Sequence, residues 1–194
     1  HNIVYSRANE GYSTRYADGG CDMTTISVYS QYKTPLSKRI NFNTGARYSS
    51  IMLNADFNES NTLGLPFNTI QLNNDAFTAS MGLKWDINNG WESTLSLSTG
   101  FRSPNVDDVT KVFEKSGKLT VPNENLTPEQ SKNIEITLNK TIGNSYVSTT
   151  AYYTMLEDAI IKKAFTLNGQ DSLWYDGGYL PIYANTNTQE ASLY

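Results

Sequence analysis

TASMGLKWDINNGWESTLSLSTGFR, residues 78–102, alternates apolar and polar side chains almost without a break. In its first half Ala79, Met81, Leu83, Trp85 and Ile87 fall on one side of an extended chain, with Thr78, Ser80, Gly82, Lys84 and Asp86 on the other. Successive side chains of a strand point to opposite faces, so this period of two reads as a strand with one greasy and one polar face. Asn88-Asn89-Gly90 follows, a run of residues that tolerate positive φ and so favour a tight hairpin turn. The chain returns with Trp91, Leu95, Leu97 and Phe101 opposite Glu92, Ser96, Ser98, Gly100 and Arg102.

The same rhythm extends outward from this hairpin. Ile26, Val28 and Tyr32 are in phase; beyond a turn at Leu36 to Arg39, Ile40, Phe42, Ala46 and Tyr48 oppose Asn41, Asn43, Gly45 and Arg47. Ile134, Ile136 and Leu138 oppose Asn133, Glu135, Thr137 and Asn139, and past a turn at Ile142 to Ser145 the apolar face continues with Val147, Ala151, Tyr153 and Met155. The pattern predicts an all-β chain of about eight antiparallel strands, near 1–7, 23–35, 40–55, 77–87, 91–105, 131–141, 146–164 and 183–194. Short turns alternate with long loops, which in an up-and-down meander puts all turns at one end and all loops at the other.

A soluble sandwich has no need of that asymmetry, whereas an outer-membrane barrel has short periplasmic turns and long extracellular loops. At ~3.3 Å per residue and a tilt of ~40°, an apolar band of ~25 Å takes about ten residues, the separation of Trp91 and Phe101. Arg47, Lys84, Asp86, Glu92, Arg102 and Glu135 all lie opposite the apolar row. A Lys or Arg facing mid-bilayer lipid costs roughly 2 to 4 kcal/mol, so that placement is enforced if the greasy face meets lipid. Trp85 and Trp91 flank the turn, where they form a periplasmic aromatic girdle in a barrel or a pair of core tryptophans in a sandwich.

Composition agrees with a strand-rich chain: of 194 residues 13 are Tyr, 7 Phe and 3 Trp. The net charge of −4, with no basic run, argues against nucleic-acid binding. No window approaches the ~18 apolar residues of a membrane helix, and the negative mean hydropathy is no argument against a barrel, whose strands need only every second residue apolar. Cys21 and His1 are single in the sequence, which leaves no disulfide framework, no His-based triad and no zinc-ligand set. Asp107/Asp108 and Glu157/Asp158 are adjacent pairs that an extended chain would point to opposite faces. No enzyme, metal or cofactor is expected.

The longest loop carries a recognisable string: Gly100-Phe101-Arg102-Ser103-Pro104-Asn105, then Asp107-Asp108-Val109, then Pro122-Asn123-Glu124-Asn125-Leu126-Thr127-Pro128-Glu129, leading to Asn133-Ile134-Glu135. It resembles the barrel of TonB-dependent outer-membrane receptors, with Glu124 where the family often has Pro and Thr127 where it often has Lys. The match is close over about 36 residues and loose over the whole chain. The resemblance implies a barrel of about 22 strands with a plug domain in its lumen, set in the outer membrane of a Gram-negative bacterium. It also implies import of a scarce ligand (iron chelate, haem, cobalamin or oligosaccharide) driven through the TonB complex. Eight strands cannot close around a plug. Residues 1–194 are therefore expected to be a middle-to-late fragment of the receptor barrel, without its plug; a first residue other than Met fits a mature chain or an excised piece.

Within that picture Arg47, Lys84, Glu92, Arg102, Glu129 and Glu135 are expected to face the plug or lumen. Arg102 is expected to pair with Glu129 or with the plug. Residues 165–182 bring Trp174, Tyr175 and Tyr179 onto a loop, as candidates for ligand contact or for lipopolysaccharide contact and loop packing. Asp18-Gly19-Gly20 and Asp176-Gly177-Gly178 read as turns, since each offers one carboxylate, too few for calcium. Two other functions fit the pattern: a small closed barrel acting as adhesin or anchor, and a soluble β-sandwich binding module.

Overall fold

The computed structural model describes residues 15–58 and 64–193, with side chains described as far as residue 188. The elements in chain order are β1 (Gly20–Pro35), β2 (Ile40–Asp56), β3 (Thr69–Asn88), β4 (Trp91–Arg102), α1 (Val106–Thr110), β5 (Phe113–Lys115), β6 (Lys118–Thr120), β7 (Glu129–Ile142), β8 (Ser145–Ala164), β9 (Ser172–Tyr175) and β10 (Gly178–Leu193). The long strands form one antiparallel meander in the order β1-β2-β3-β4-β7-β8-β10. The small β5–β6 hairpin continues the sheet past β10 through a parallel pairing of β6 with β10, and β9 folds back on β10. Among the described residues β1 pairs only with β2, so the sheet is open.

The register joins residues of one face across every pair. Arg47 is opposite Tyr29 and Thr78; Lys84 is opposite Asn41 and Thr94; Ser96 is opposite Glu135, which is opposite Tyr152. The polar rows thus share one face of the sheet. On the other face Ile26, Val28, Tyr32, Phe77, Met81, Trp85, Leu95, Ile134, Ile136 and Val147 stand exposed, Val28 at 71%. No second sheet covers them among the described residues, and this excludes the sandwich. So wide an exposed apolar surface is far beyond what a soluble monomer carries.

Burial is concentrated at the long-loop end. Leu53 and Ala55 of β2 and Ile70 of β3 meet Val109 of α1, Leu119 of β6, Val121, Leu126 and Ile182 in one apolar cluster. Leu53 and Ala55 continue the row of Arg47 and Ser49, so the polar face turns apolar where the loops fold onto it. This reversal explains why β3 begins at Thr69 rather than near residue 77: Ile70 and Leu72 sit in the phase of Thr78, and Asn73-Asn74-Asp75 reads locally as loop. Pairing of Thr69 to Ala76 with Ser49 to Asp56 overrides those local signals.

Other boundaries differ for similar reasons. β4 stops at Arg102 instead of 105, because Asn105 leaves the sheet to cap α1. Of the 183–194 segment, without sequence alternation, residues 183–193 lie in a strand that starts at Gly178 and pairs with β8, its backbone bonds needing no apolar row. The expected strand at 1–7 lies outside the described residues.

The hairpin turn is made as its sequence demands, with Asn88, Asn89 and Gly90 at φ of 119°, 51° and 73°. A Cβ on Gly90 would stand 2.6 Å from the Thr141 carbonyl oxygen, which the neighbouring turn brings close. Gly90→Ala is expected to lower stability by about 1 to 3 kcal/mol. Denaturant titration of the lipid-refolded receptor would read this as an earlier unfolding midpoint.

Candidate functional site

The long 103–128 connection is folded structure stapled to strand ends, and its staple is Arg102. The Arg102 Nε donates to Glu129 Oε2 at 2.5 Å and an Nη donates to Asp108 Oδ2 at 2.6 Å. Both salt bridges lie beyond Phe101, the end of the apolar row. Glu129 Oε1 also accepts the Ile160 N–H at 2.6 Å. One guanidinium therefore ties the end of β4 to the start of β7, to α1 and, through Glu129, to β8.

Asp108 serves the helix as well. Asn105 accepts the Asp108 N–H at 2.9 Å while Asp108 Oδ2 accepts the Asn105 N–H at 3.1 Å, a reciprocal capping box that starts the helix. The return limb of the motif is held by asparagines. Asn123 Nδ2 donates to the Asn185 carbonyl at 2.8 Å, and Asn185 Nδ2 to the Asp108 carbonyl at 2.9 Å. Asn187 receives the Thr127 N–H at 3.0 Å and donates to the Thr127 carbonyl at 2.9 Å. The recognisable string is thus largely the set of residues that dock this loop on β10. Asn185 and Asn187 escaped the sequence reading; two asparagines two residues apart in a strand, offering amides on one face, were the available signal.

Electrostatics fit the clamp. The hydrogen bond from Arg102, assisted by the Ile160 N–H against partial burial, holds the Glu129 carboxyl below the usual carboxylate range. Burial opposes ionisation of Asp107, yet hydrogen bonds from Lys111 and Tyr16, each 2.8 Å, outweigh it and also lower that carboxyl.

The remaining polar-face residues form separate groups. Lys84 pairs with Glu92 at 2.7 Å, Glu92 accepts from Asn139 at 3.2 Å, and Asn139 accepts from Ser148 at 2.7 Å, a chain across β3, β4, β7 and β8. Arg47 donates to the hydroxyls of Ser49 at 3.1 Å and Ser27 at 2.9 Å. Glu135 shares their face, without an ion pair among the described residues.

Trp85 and Trp91 are both exposed on the apolar face at the short-turn end, and Lys140 Nζ lies 4.8 Å from the Trp91 ring centroid. At the opposite end Trp174 and Tyr179 pair across the β9–β10 hairpin, edge to face with centroids 5.3 Å apart, both exposed. Tyr175, the third aromatic of this loop, is half-buried. Residues 172–175 are a strand, so Tyr175 turns away from Trp174, packs against the core, and burial raises its phenol pKa.

The family model "TonB dependent receptor-like, beta-barrel" matches residues 2–194. No curated protein matches the sequence. Solved structures of the same fold include a double mutant of the Serratia marcescens hemophore receptor HasR in complex with its hemophore HasA and heme. That receptor has 11% identity and a TM-score of 0.68, over 88% of this chain and 30% of its own. A ferric enterobactin receptor mutant from Pseudomonas aeruginosa in complex with enterobactin has 13% identity and a TM-score of 0.56, over 96% and 34%. The FrpB iron transporter of Neisseria meningitidis (F3-3 variant) has 16% identity and a TM-score of 0.55, over 86% and 21%. The fold is a section of a β-barrel of the TonB-dependent receptor class. The chain belongs to the TonB-dependent receptor-like β-barrel family. It spans 21 to 34% of the length of these three receptors.

Arg102→Gln is expected to loosen the 103–128 segment by about 1 to 2 kcal/mol, the half-exposed guanidinium being partly screened. Because Glu129 is depressed in the folded state, its contribution is complete above the ordinary carboxylate pKa and is lost as pH falls through the lowered value. Hydrogen exchange over 103–128, corrected for intrinsic rates, would show loosening in the variant at pH 7 and in the unsubstituted protein only under acid. Equal protection at every pH would contradict the clamp.

Proposed function

We propose that this chain is part of the barrel domain of a longer outer-membrane receptor that takes up a scarce ligand with energy delivered through TonB, and that it is not an enzyme. The observation that carries this reading is the exposed apolar face, continuous over the long strands and opposite the ionic rows, in a chain of this family. In water that face would be an aggregation hazard, whereas in a bilayer it is solvated.

On this reading the short turns lie on the periplasmic side of a Gram-negative outer membrane and the loop cluster lies outside. Trp85 and Trp91 mark the periplasmic interface, where amphipathic rings settle. Arg47, Lys84, Glu92 and Glu135 line the lumen, and Arg47 and Glu135, without ion-pair partners in the described sheet, suit a plug domain carrying complementary groups. Arg102 and Glu129 serve the loop clamp. Trp174 and Tyr179 are offered outward for ligand contact. The edge of β1, unpaired among the described residues, suits further barrel strands better than a small closed barrel.

The ligand class is an iron chelate, haem, cobalamin or an oligosaccharide. The heme- and enterobactin-bound receptors of like fold favour the first two. Cells carrying the full-length receptor are expected to accumulate a radiolabelled member of one of these classes, and to lose accumulation but keep surface binding when TonB is deleted. Uptake indifferent to TonB would refute the energised mechanism.

A further inference from the structure

Two hollows follow one another along the polar face of β1, β2 and β3. The first, of about 310 Å³, has Tyr29, Gln31, Gly45, Arg47, Thr78 and Ser80 in its walls and floor. The second, of about 250 Å³, has Lys33, Asn41, Asn43, Gly82, Lys84 and Ser96. The register makes them neighbours. Gln31 is opposite Gly45 and Gly45 opposite Ser80; two residues along each strand, Lys33 is opposite Asn43 and Asn43 opposite Gly82. Together they form one trough, and at Gly45 and Gly82 the missing side chains let another backbone come close.

A cation stands toward each end of the trough. Arg47 donates from Nε and Nη2 to the hydroxyls of Ser49 and Ser27, and among the described residues no carboxylate pairs with it or with Lys33. Lys84, by contrast, is neutralised by Glu92 at 2.7 Å. Glu135 lies in the row of Lys33 but four strand steps away, ~19 Å at ~4.8 Å per step, too far to pair with it. The positive charge is therefore local, in a chain of net charge −4. Asn41, Asn43 and Ser96 make no side-chain hydrogen bond among the described residues and add neutral donors at the Lys33 end. Lys33 is opposite Asn43, four residues from Arg47 on β2, which sets the two cations ~13 Å apart at ~3.3 Å per residue. One small anion cannot meet both.

We infer that the trough holds an extended acidic polypeptide segment inside the lumen, with one carboxylate on the Arg47 guanidinium and a second, about four residues away, on the Lys33 ammonium. The guanidinium keeps Nη1 for the first carboxylate, and the Asn43 and Ser96 donors stand beside Lys33 for the second. The segment's backbone passes over Gly45 and Gly82. The inference rests on the receptor reading and gives the polypeptide that fills the lumen a docking chemistry on this wall.

The test is zero-length carbodiimide coupling, which joins a lysine to a carboxylate in contact with it, on the full-length receptor in detergent, read by peptide mass spectrometry. The Lys84–Glu92 pair on the same face is the internal control. Lys33 is expected to couple to an Asp or Glu outside the barrel wall. In the Arg47→Lys variant the substituted position is expected to couple to a second carboxylate of the same segment, about four residues from the first. Coupling of Lys84 to Glu92 with none at Lys33, or coupling of the two positions to unrelated segments, would overturn the inference. Lys33 shielded from coupling by added phosphate, with no segment joined, would assign the hollow to a free anion and also overturn it. Where the control pair does not react, hydrogen exchange decides. Lys33→Glu is expected to raise exchange in part of the lumen-filling polypeptide by roughly tenfold over Lys38→Glu, a change in the β1–β2 turn outside the trough, and equal exchange in the two would overturn the inference. If Lys33→Glu loses the heat-modifiable gel band, Lys33→Gln takes its place with the same criterion. TonB-dependent uptake beside any of these negative results would leave the receptor reading standing and remove only this assignment.

Discussion

Through the middle of the long strands the charged side chains stand opposite the apolar rows, and Lys132 and Lys140 enter the apolar phase only toward the two ends of β7. Hydrocarbon solvates Ile136 or Val28 at no cost and a lysine at a cost of roughly 2 to 4 kcal/mol, so a strand in lipid must send its ionic residues to the other side. In a strand, two-residue alternation does this while the peptide groups pair with the neighbouring strands. Lys84, Glu92, Asn139 and Ser148 can then form a hydrogen-bonded chain across four strands because the register brings their shared face into line. The same constraint leaves the sheet without a conventional core over most of its length.

Packing reappears where the exposed apolar rows end. Past Phe101 the strands carry Arg102 and Glu129, and the connecting loop folds onto Leu53, Ala55 and Ile70 instead of extending into water. The loop is long because it must supply its own core, Val109, Leu119, Val121 and Leu126, and its own backbone partners on β10. Arg102 stands at the junction of these two regimes. Its two carboxylates join a long sheet strand to the folded 103–128 loop.

The meander was legible from the sequence because its signal is local: side-chain period and turn residues such as Asn88-Asn89-Gly90 report directly on strands and hairpins. The partner face of each strand, and so the lines of charge, followed from the same count. What escaped were features set by distant pairing. The extension of β3 to Thr69 depends on β2, the β10 strand depends on β8, and the β5–β6 hairpin docks through β10. At the candidate site the motif string was visible, but the Asn185 and Asn187 staples lie some sixty residues away in sequence, where no periodicity could announce them.

The central claim is that one face of these strands is wetted by lipid and the other is not. Nitroxide labels placed singly from residue 131 to 141 on β7, in the lipid-reconstituted receptor with Cys21→Ser, test it most directly. Collision rates with oxygen, which concentrates in hydrocarbon, should peak at positions 134, 136 and 138, and collisions with a water-soluble nickel chelate should not. Even-numbered positions shielded from both reagents, as in a packed protein interior, would contradict the account.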